Sequence, residues 1–250
     1  MKRTVTNCIL AATWLAGCSG QDQATEADYD DVAQALTAVV TTDNGGGEVG
    51  AMSDSVNIAI GAGDLSIQAS AAGHFKSSHL GLDYDYAISC KDEAGTALAK
   101  CSRDTDSADV TVKWSGDLGL PHLTASVDRN GDWQLSKLQS GTAVLSGDSD
   151  FDLDVKLESL FRDVTRSYHV GYSAKYTNVA LDLAKKKIQG GTVHYSIDAE
   201  RKATGPRRES EAEFTMDGEL TFAADGTATL TLDKNFKYTL DTATGVMVKN

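Results

Sequence analysis

The apolar residues of this chain follow two periods in succession. Tyr29, Val32, Ala33, Leu36, Val39 and Val40 recur at the three-four spacing of one helical face. Thr25 stands at the cap position with Asp28 three residues on, as in a capping box. The run Asp43-Asn44-Gly45-Gly46-Gly47 stops the helix. Residues 48–72 admit both periods: Val49, Met52, Val56 and Ala59 fit a helix, and Val56, Ile58 and Ile60 fit a strand. We assign helix. From about residue 80 the period is two. Leu82, Tyr84, Tyr86 and Ile88 alternate with polar neighbours. So do Phe151, Leu153, Val155 and Leu157, then Tyr168, Val170, Tyr172, Ala174 and Tyr176. Val193, Tyr195, Ile197 and Ala199 follow, then Ala212, Phe214, Met216, Gly218, Leu220 and Phe222. Strict alternation makes half-buried strands with one wet face.

Turn chemistry sets trial registers. At Arg129-Asn130-Gly131, a three-residue loop with a left-handed Gly131 places Val127 opposite Trp133 and Ala125 opposite Leu135. At Ala224-Asp225-Gly226, Phe222 meets Ala228 and Leu220 meets Leu230. Around Gly205-Pro206, Ile197 meets Phe214 and Tyr195 meets Met216, and Asp241 to Gly245 turns Leu240 onto Val246. The expected class is mainly β: an antiparallel meander of about a dozen short strands, forming a curled, barrel-like or sandwich domain with one or two N-terminal helices. The helical part packs across the apolar face or plugs one end. No repeat of fixed length points to a propeller or solenoid.

The first residues are of another kind. Lys2 and Arg3 precede a short apolar stretch, Ile9 to Leu15, too short to span a bilayer. Leu15-Ala16-Gly17-Cys18 resembles the bacterial lipobox. That resemblance covers only the leader. It implies cleavage before Cys18, acylation of its thiol and a membrane tether; Ser19 in place of Asp resembles the outer-membrane choice of enteric-type sorting. The expected division is a signal peptide at 1–17, lipidated Cys18 and tether at 18–25, a helical segment at 26–72 and an antiparallel β domain at 73–250. The body resembles predicted bacterial lipoproteins that carry no defined activity.

Loss of Lys2 and Arg3 with the leader takes the formal charge from −13 to −15. That disfavours nucleic acid and anionic headgroups, which need basic patches. Of four cysteines, Cys8 leaves with the leader and Cys18 carries lipid, so Cys90 and Cys101 remain as an even pair in an exported domain, a disulfide pattern. One register resists it: a loop at Glu93-Ala94-Gly95 sets Cys90 against Leu98 and sends Cys101 to the other face, so the bridge needs a bulge or a strand that ends early.

Candidate chemistry is thin. Gly45 to Gly50 reads GGGEVG, but it follows a helix rather than a strand and sets Glu48 where phosphates would lie. Asp148, Asp150 and Asp152 mimic the start of a calcium loop, yet Leu153 and Ser159 replace its glycine and glutamate; a solvated strand face explains them. Asp128, Asn130 and Asp132 read as turn residues. His74, His79, His122, His169 and His194 show no zinc spacing, and His169 and His194 are off-phase with the apolar residues. Gly147-Asp148-Ser149 resembles the opening of a GDSL-type esterase block without its α/β context, and no GxSxG elbow occurs. Lys185-Lys186-Lys187 reads as a solvated turn. A transmembrane barrel would put the Asp148–Asp154 row on lipid, at high cost.

No catalytic, cofactor or metal site is expected. The leading expectation is a non-catalytic envelope binding or structural module, with an envelope protein or apolar ligand as partner. Second is a carrier of a lipid or other apolar ligand, enclosed as lipocalin-like barrels do, its lining drawn from Tyr84, Tyr86, Trp133, Tyr168, Tyr172, Tyr195, Phe214 and Phe222. An envelope hydrolase is third.

Overall fold

The computed structural model describes residues 23–40, 47–62, 68–71, 73–79, 81–120, 123–158, 165–185, 187–205 and 209–250. The leader, Cys18, most of the tether and the Asp43–Gly46 stop lie outside them, as do His122, Lys186 and the loop following Gly205.

Helix α1 runs Glu26–Val40 and α2 Glu48–Ala59. Thr25 starts α1 as its sequence implies: its backbone N–H and hydroxyl both donate to the Asp28 carboxylate, at 2.8 and 2.7 Å. The second helix is shorter than the expected helical segment. It ends at Ala59, and the chain enters a strand by residue 68. The β region therefore begins before residue 73, inside the stretch read as helix.

The strands are β1 Gln68–Ala71, β2 His74–His79, β3 Leu82–Lys91, β4 Ser107–Leu120, β5 Leu123–Ser136, β6 Thr142–Glu158, β7 Thr165–Asp182, β8 Lys187–Thr204, β9 Glu209–Phe222, β10 Thr227–Leu232, β11 Phe236–Asp241 and β12 Met247–Lys249. They pair in chain order as one twelve-stranded antiparallel sheet. The meander is as expected. The barrel-like, strongly curled or sandwich form is not: pairing runs in one line from β1 to β12, without closure. The physical reason is that α1 and α2 supply the second layer. An apolar face covered by helices needs neither closure nor a second sheet. The edges are blunted by length, four residues in β1 and three in β12.

Alternation sorts residues as read. Tyr84, Tyr86, Trp133, Tyr168, Tyr172, Tyr195, Phe214 and Phe222 are all buried on the inner face, which Val32, Leu36, Met52 and Val56 of the helices cover. Asp148, Asp150, Asp152 and Asp154 are exposed on the other. A cleft of only about 10 Å³ separates α2 from the end of β7, so the layer between helices and sheet is tightly filled there.

Registers fared unevenly. Phe222 pairs with Ala228 and Leu220 with Leu230 as expected. Ile197 pairs with Met216, not Phe214, and Tyr195 with Gly218, not Met216. That two-residue slip keeps every side chain on its face, so alternation is blind to it. Leu240 pairs with Met247 rather than Val246. The extra turn residue sends Met247 toward α1, where the Thr37 hydroxyl donates to its sulfur, and leaves Val246 exposed.

The Arg129-Asn130-Gly131 hairpin does not exist. β5 runs straight through, with Val127, Arg129, Gly131, Trp133 and Leu135 on the inner face. The actual turn comes later, at a 3₁₀ turn over Leu138–Ser140. The strands are accordingly long, up to 18 residues in β7 and β8. Cys90 and Cys101 are joined, Cα atoms 5.3 Å apart. The strand after Cys90 ends early: only Lys91 and Ala97 bridge before the chain leaves the sheet and brings Cys101 back.

Candidate functional site

The mistaken hairpin marks the most unusual feature of the interior. Arg129 occupies an inner position of β5 and is 1% exposed. Register dictates its surroundings. Trp114 of β4 and Phe151 of β6 lie directly across from it, and Trp133 lies four residues further along its own strand, on the same face. Tyr176 of β7 completes the ring. The guanidinium carbon is 5.3–5.7 Å from the centroids of all four aromatic rings, within cation–π range. Gly131 makes the arrangement fit. A Cβ there would lie 3.3 Å from the Trp133 indole nitrogen and 3.2 Å from Val112.

The charge is met from the helix layer. Glu48, first residue of α2, is fully buried, its Oε1 3.2 Å from Arg129 Nη1. Tyr176 donates its hydroxyl to Glu48 Oε1 at 2.7 Å, and Tyr195 donates to Oε2 at 3.0 Å. Arg129 Nη2 donates to Ser149 Oγ at 2.8 Å and to the Tyr176 hydroxyl; Ser149 donates to that hydroxyl at 2.9 Å. Burial works against the Arg129 charge, but Tyr176 and Glu48 outweigh it and hold the group protonated. Tyr172, Tyr176 and Tyr195 are pushed well above the ordinary phenol range, first by burial and also by the Glu48 charge.

The network is incompletely satisfied. Arg129 Nε, the indole nitrogens of Trp114 and Trp133, and the Tyr172 hydroxyl are buried without a hydrogen-bond partner. Each such group costs about 1–3 kcal/mol. Native cores leave few polar groups unsatisfied, and here four lie around one charge.

A second group fastens α1. Arg201 Nη1 donates to both Asp28 oxygens, at 2.6 and 2.7 Å, and Tyr168 donates to Asp28 and Asp31 at 3.0 and 2.7 Å. Arg166 donates to Asp31 at 2.5 Å, Tyr238 to Asp30 at 2.8 Å and Lys249 to Glu26 at 2.6 Å. In the opposite sense, Tyr29 of α1 donates to Asp233 at 2.6 Å. On α2, Asp54 accepts from Tyr86 at 3.2 Å. Acidic helices thus lie on tyrosines and cations of the sheet.

The residues singled out from the sequence fall into two sets, and Trp133, Tyr172 and Tyr195, expected to line a cavity, lie in the first, at the Arg129 network. Glu48 and Ser149 belong to the Arg129 network, in roles other than those their motifs suggested. Glu48 of the glycine-rich run holds a cation rather than flanking a phosphate. Ser149 has Arg129 and Tyr176 as its side-chain partners, neither of them a general base. The rest stay apart. His169 lies 2.8 Å from Asp154 and His194 3.5 Å from Glu219, all exposed. Among the described residues no group of three or more His, Cys, Asp or Glu is arranged to hold a metal ion. Two concavities, about 930 and 680 Å³, lie on the polar face of the sheet, lined by residues such as Lys76, Asp85 and Lys113 in one and Asp154, Lys156 and Glu200 in the other.

Sequence reasoning missed Arg129 because Asn130-Gly131 is a strong turn signal. The available clue was parity: Val127, Arg129, Gly131, Trp133 and Leu135 stay in phase through the supposed turn. No protein-family model matches the chain, nor does any curated protein or any solved structure.

Proposed function

We infer that this is a lipoprotein of the bacterial cell envelope, anchored at the outer membrane through lipid on Cys18, whose domain acts by binding and not by catalysis. The observation that carries the second part is the use made of buried reactive groups. Glu48, Ser149, Arg129, Tyr176 and Tyr195 are all engaged with one another across the helix–sheet layer, and the serine has no base beside it. Catalytic groups need a free face toward a substrate; these face α2. The tether rests on the lipobox resemblance of Leu15 to Cys18. A protein partner is favoured by the exposed apolar pair beside the short edge strand β12, Val246 and Val248, each 59% exposed.

Both parts are testable on the full chain in a bacterial host. Labelling with an alkyne fatty acid followed by membrane fractionation should give a labelled membrane protein, and Cys18→Ser should lose label and membrane association together. A labelled Cys18→Ser chain would refute the anchor. Saturable turnover of any ester, glycoside or peptide substrate by the purified protein, abolished by Ser149→Ala, would overturn the non-catalytic reading.

A further inference from the structure

Resting on that binding-module reading, we propose that the Arg129 cluster is the head-group site for an anionic amphiphile, a long-chain carboxylate, and that α2 occupies it as a built-in substitute. The site has the two parts such a ligand needs. One is a cation at the floor of an apolar face, ringed by Trp114, Trp133, Phe151 and Tyr176. The other is the run of buried apolar residues leading away from it toward the C-terminal end of β5, among them Val112 and Val110 of β4 and Leu135 of β5 itself.

The substitute has the same two parts. Glu48 presents a carboxylate to Arg129, Tyr176 and Tyr195. Ala51, Met52 and Val56, at helical spacing behind it, lay an apolar surface on the sheet. A carboxylate head followed by an apolar body is the outline of a fatty acid. Exchange of one carboxylate for another also conserves buried charge: Arg129 is never left unpaired, and Glu48 passes to water, where its charge costs nothing.

The unsatisfied donors favour the same conclusion. Arg129 Nε, both indole N–H groups and the Tyr172 hydroxyl surround the cation without acceptors. Glu48, fixed to its helix, reaches Arg129 only through Nη1. An untethered carboxylate is free to rotate into the fork of the guanidinium, the bidentate geometry such pairs prefer.

The test uses the full chain carrying Trp14→Phe and Cys18→Ser, so that Trp114 and Trp133 are the only indoles and no acyl chain is attached. The probe is 9,10-dibromostearate, whose bromines quench tryptophan on contact. We expect saturable one-to-one quenching by the acid and binding of its methyl ester weaker by about tenfold or more, the ratio for losing a charge-assisted hydrogen bond. Glu48→Gln, which removes the competing anion, should tighten binding of the acid by about tenfold or more and leave the ester unchanged. Since Arg129→Met risks misfolding, the acid–ester comparison on one folded protein carries the argument. Absence of saturable quenching in both the parent and Glu48→Gln overturns the proposal, as does equal binding of acid and ester. Either failure leaves the non-catalytic module standing, because that reading falls only to substrate turnover.

Discussion

Removing one member of the Arg129–Glu48 pair leaves the other charged and buried, which costs about 3–5 kcal/mol in such settings, whereas replacing both by apolar residues of similar volume is often near neutral. Glu48→Leu and Arg129→Met should each lower stability by about that amount, and the double variant by far less. Urea unfolding followed by circular dichroism measures all three. Additive losses would mean that the two groups act separately. A different residue-scale constraint sits on the neighbouring strand. Gly147 has φ +146°, at the irregularity where β6 slips between Leu145 and Gly147 against β7, and a Cβ there would come 2.2 Å from the Asp132 carbonyl oxygen. Gly147→Ala therefore forces backbone apart and should cost more than about 1 kcal/mol in the same assay. Gly131, with ordinary φ and side chains for neighbours, should be the milder substitution.

At the scale of elements, the fastening of α1 depends on ionised carboxylates. Burial pushes the Asp28 carboxyl upward, but hydrogen bonds from Thr25 and from Arg201 outweigh it and hold the group below the ordinary carboxylate range. A depressed native value contributes stability that is complete above the unfolded value of 3.8 and is lost as pH falls through the native one. Acidification below about pH 4 should release α1 before the sheet melts. Hydrogen exchange would then show protection lost in 26–40 while β5 to β8 stay protected; simultaneous loss would refute it. The same elements show what the sequence could reveal. Periodicity identified α1 and the inner faces of β3 and of β6 to β9, because burial of alternate residues is a local pattern. It did not reveal closure, since an open sheet and a barrel share one alternation and differ only in what covers the face. Nor did it reveal the two-residue slip at Ile197–Met216, which preserves parity. It failed outright at Arg129, where a charge stands in a core position for the sake of a residue on another element. Local rules break where a long-range polar contact decides. Glu48 was legible only as part of a glycine-rich run, because nothing local says that its partner lies some 80 residues downstream.

The whole molecule has one titration property that follows from how its two layers are joined. The chain holds eight tyrosines, and all eight are shifted upward. Burial is the first cause in every case. Carboxylates at the helix–sheet junction add to it: Glu48 against Tyr176 and Tyr195, Asp28 and Asp31 against Tyr168, and Asp30 against Tyr238. Even Tyr29, the least enclosed, is pushed up to about 12 by burial and its bond to Asp233. In the unfolded chain the same phenols ionise near 10. Groups whose native values are raised contribute stability that is complete below the unfolded value and lost as pH climbs past it. Eight such groups acting together make the alkaline side steep, with each ionised tyrosine also removing a donor that joins helix to sheet or fills the layer between them. Tyrosinate absorbance at 295 nm and loss of the β signal in circular dichroism should therefore rise together above pH 10, as one cooperative transition. Smooth ionisation of several tyrosines centred near 10 with the circular dichroism unchanged would mean that water reaches the junction in the folded protein, and that the helices do not seal the sheet as described.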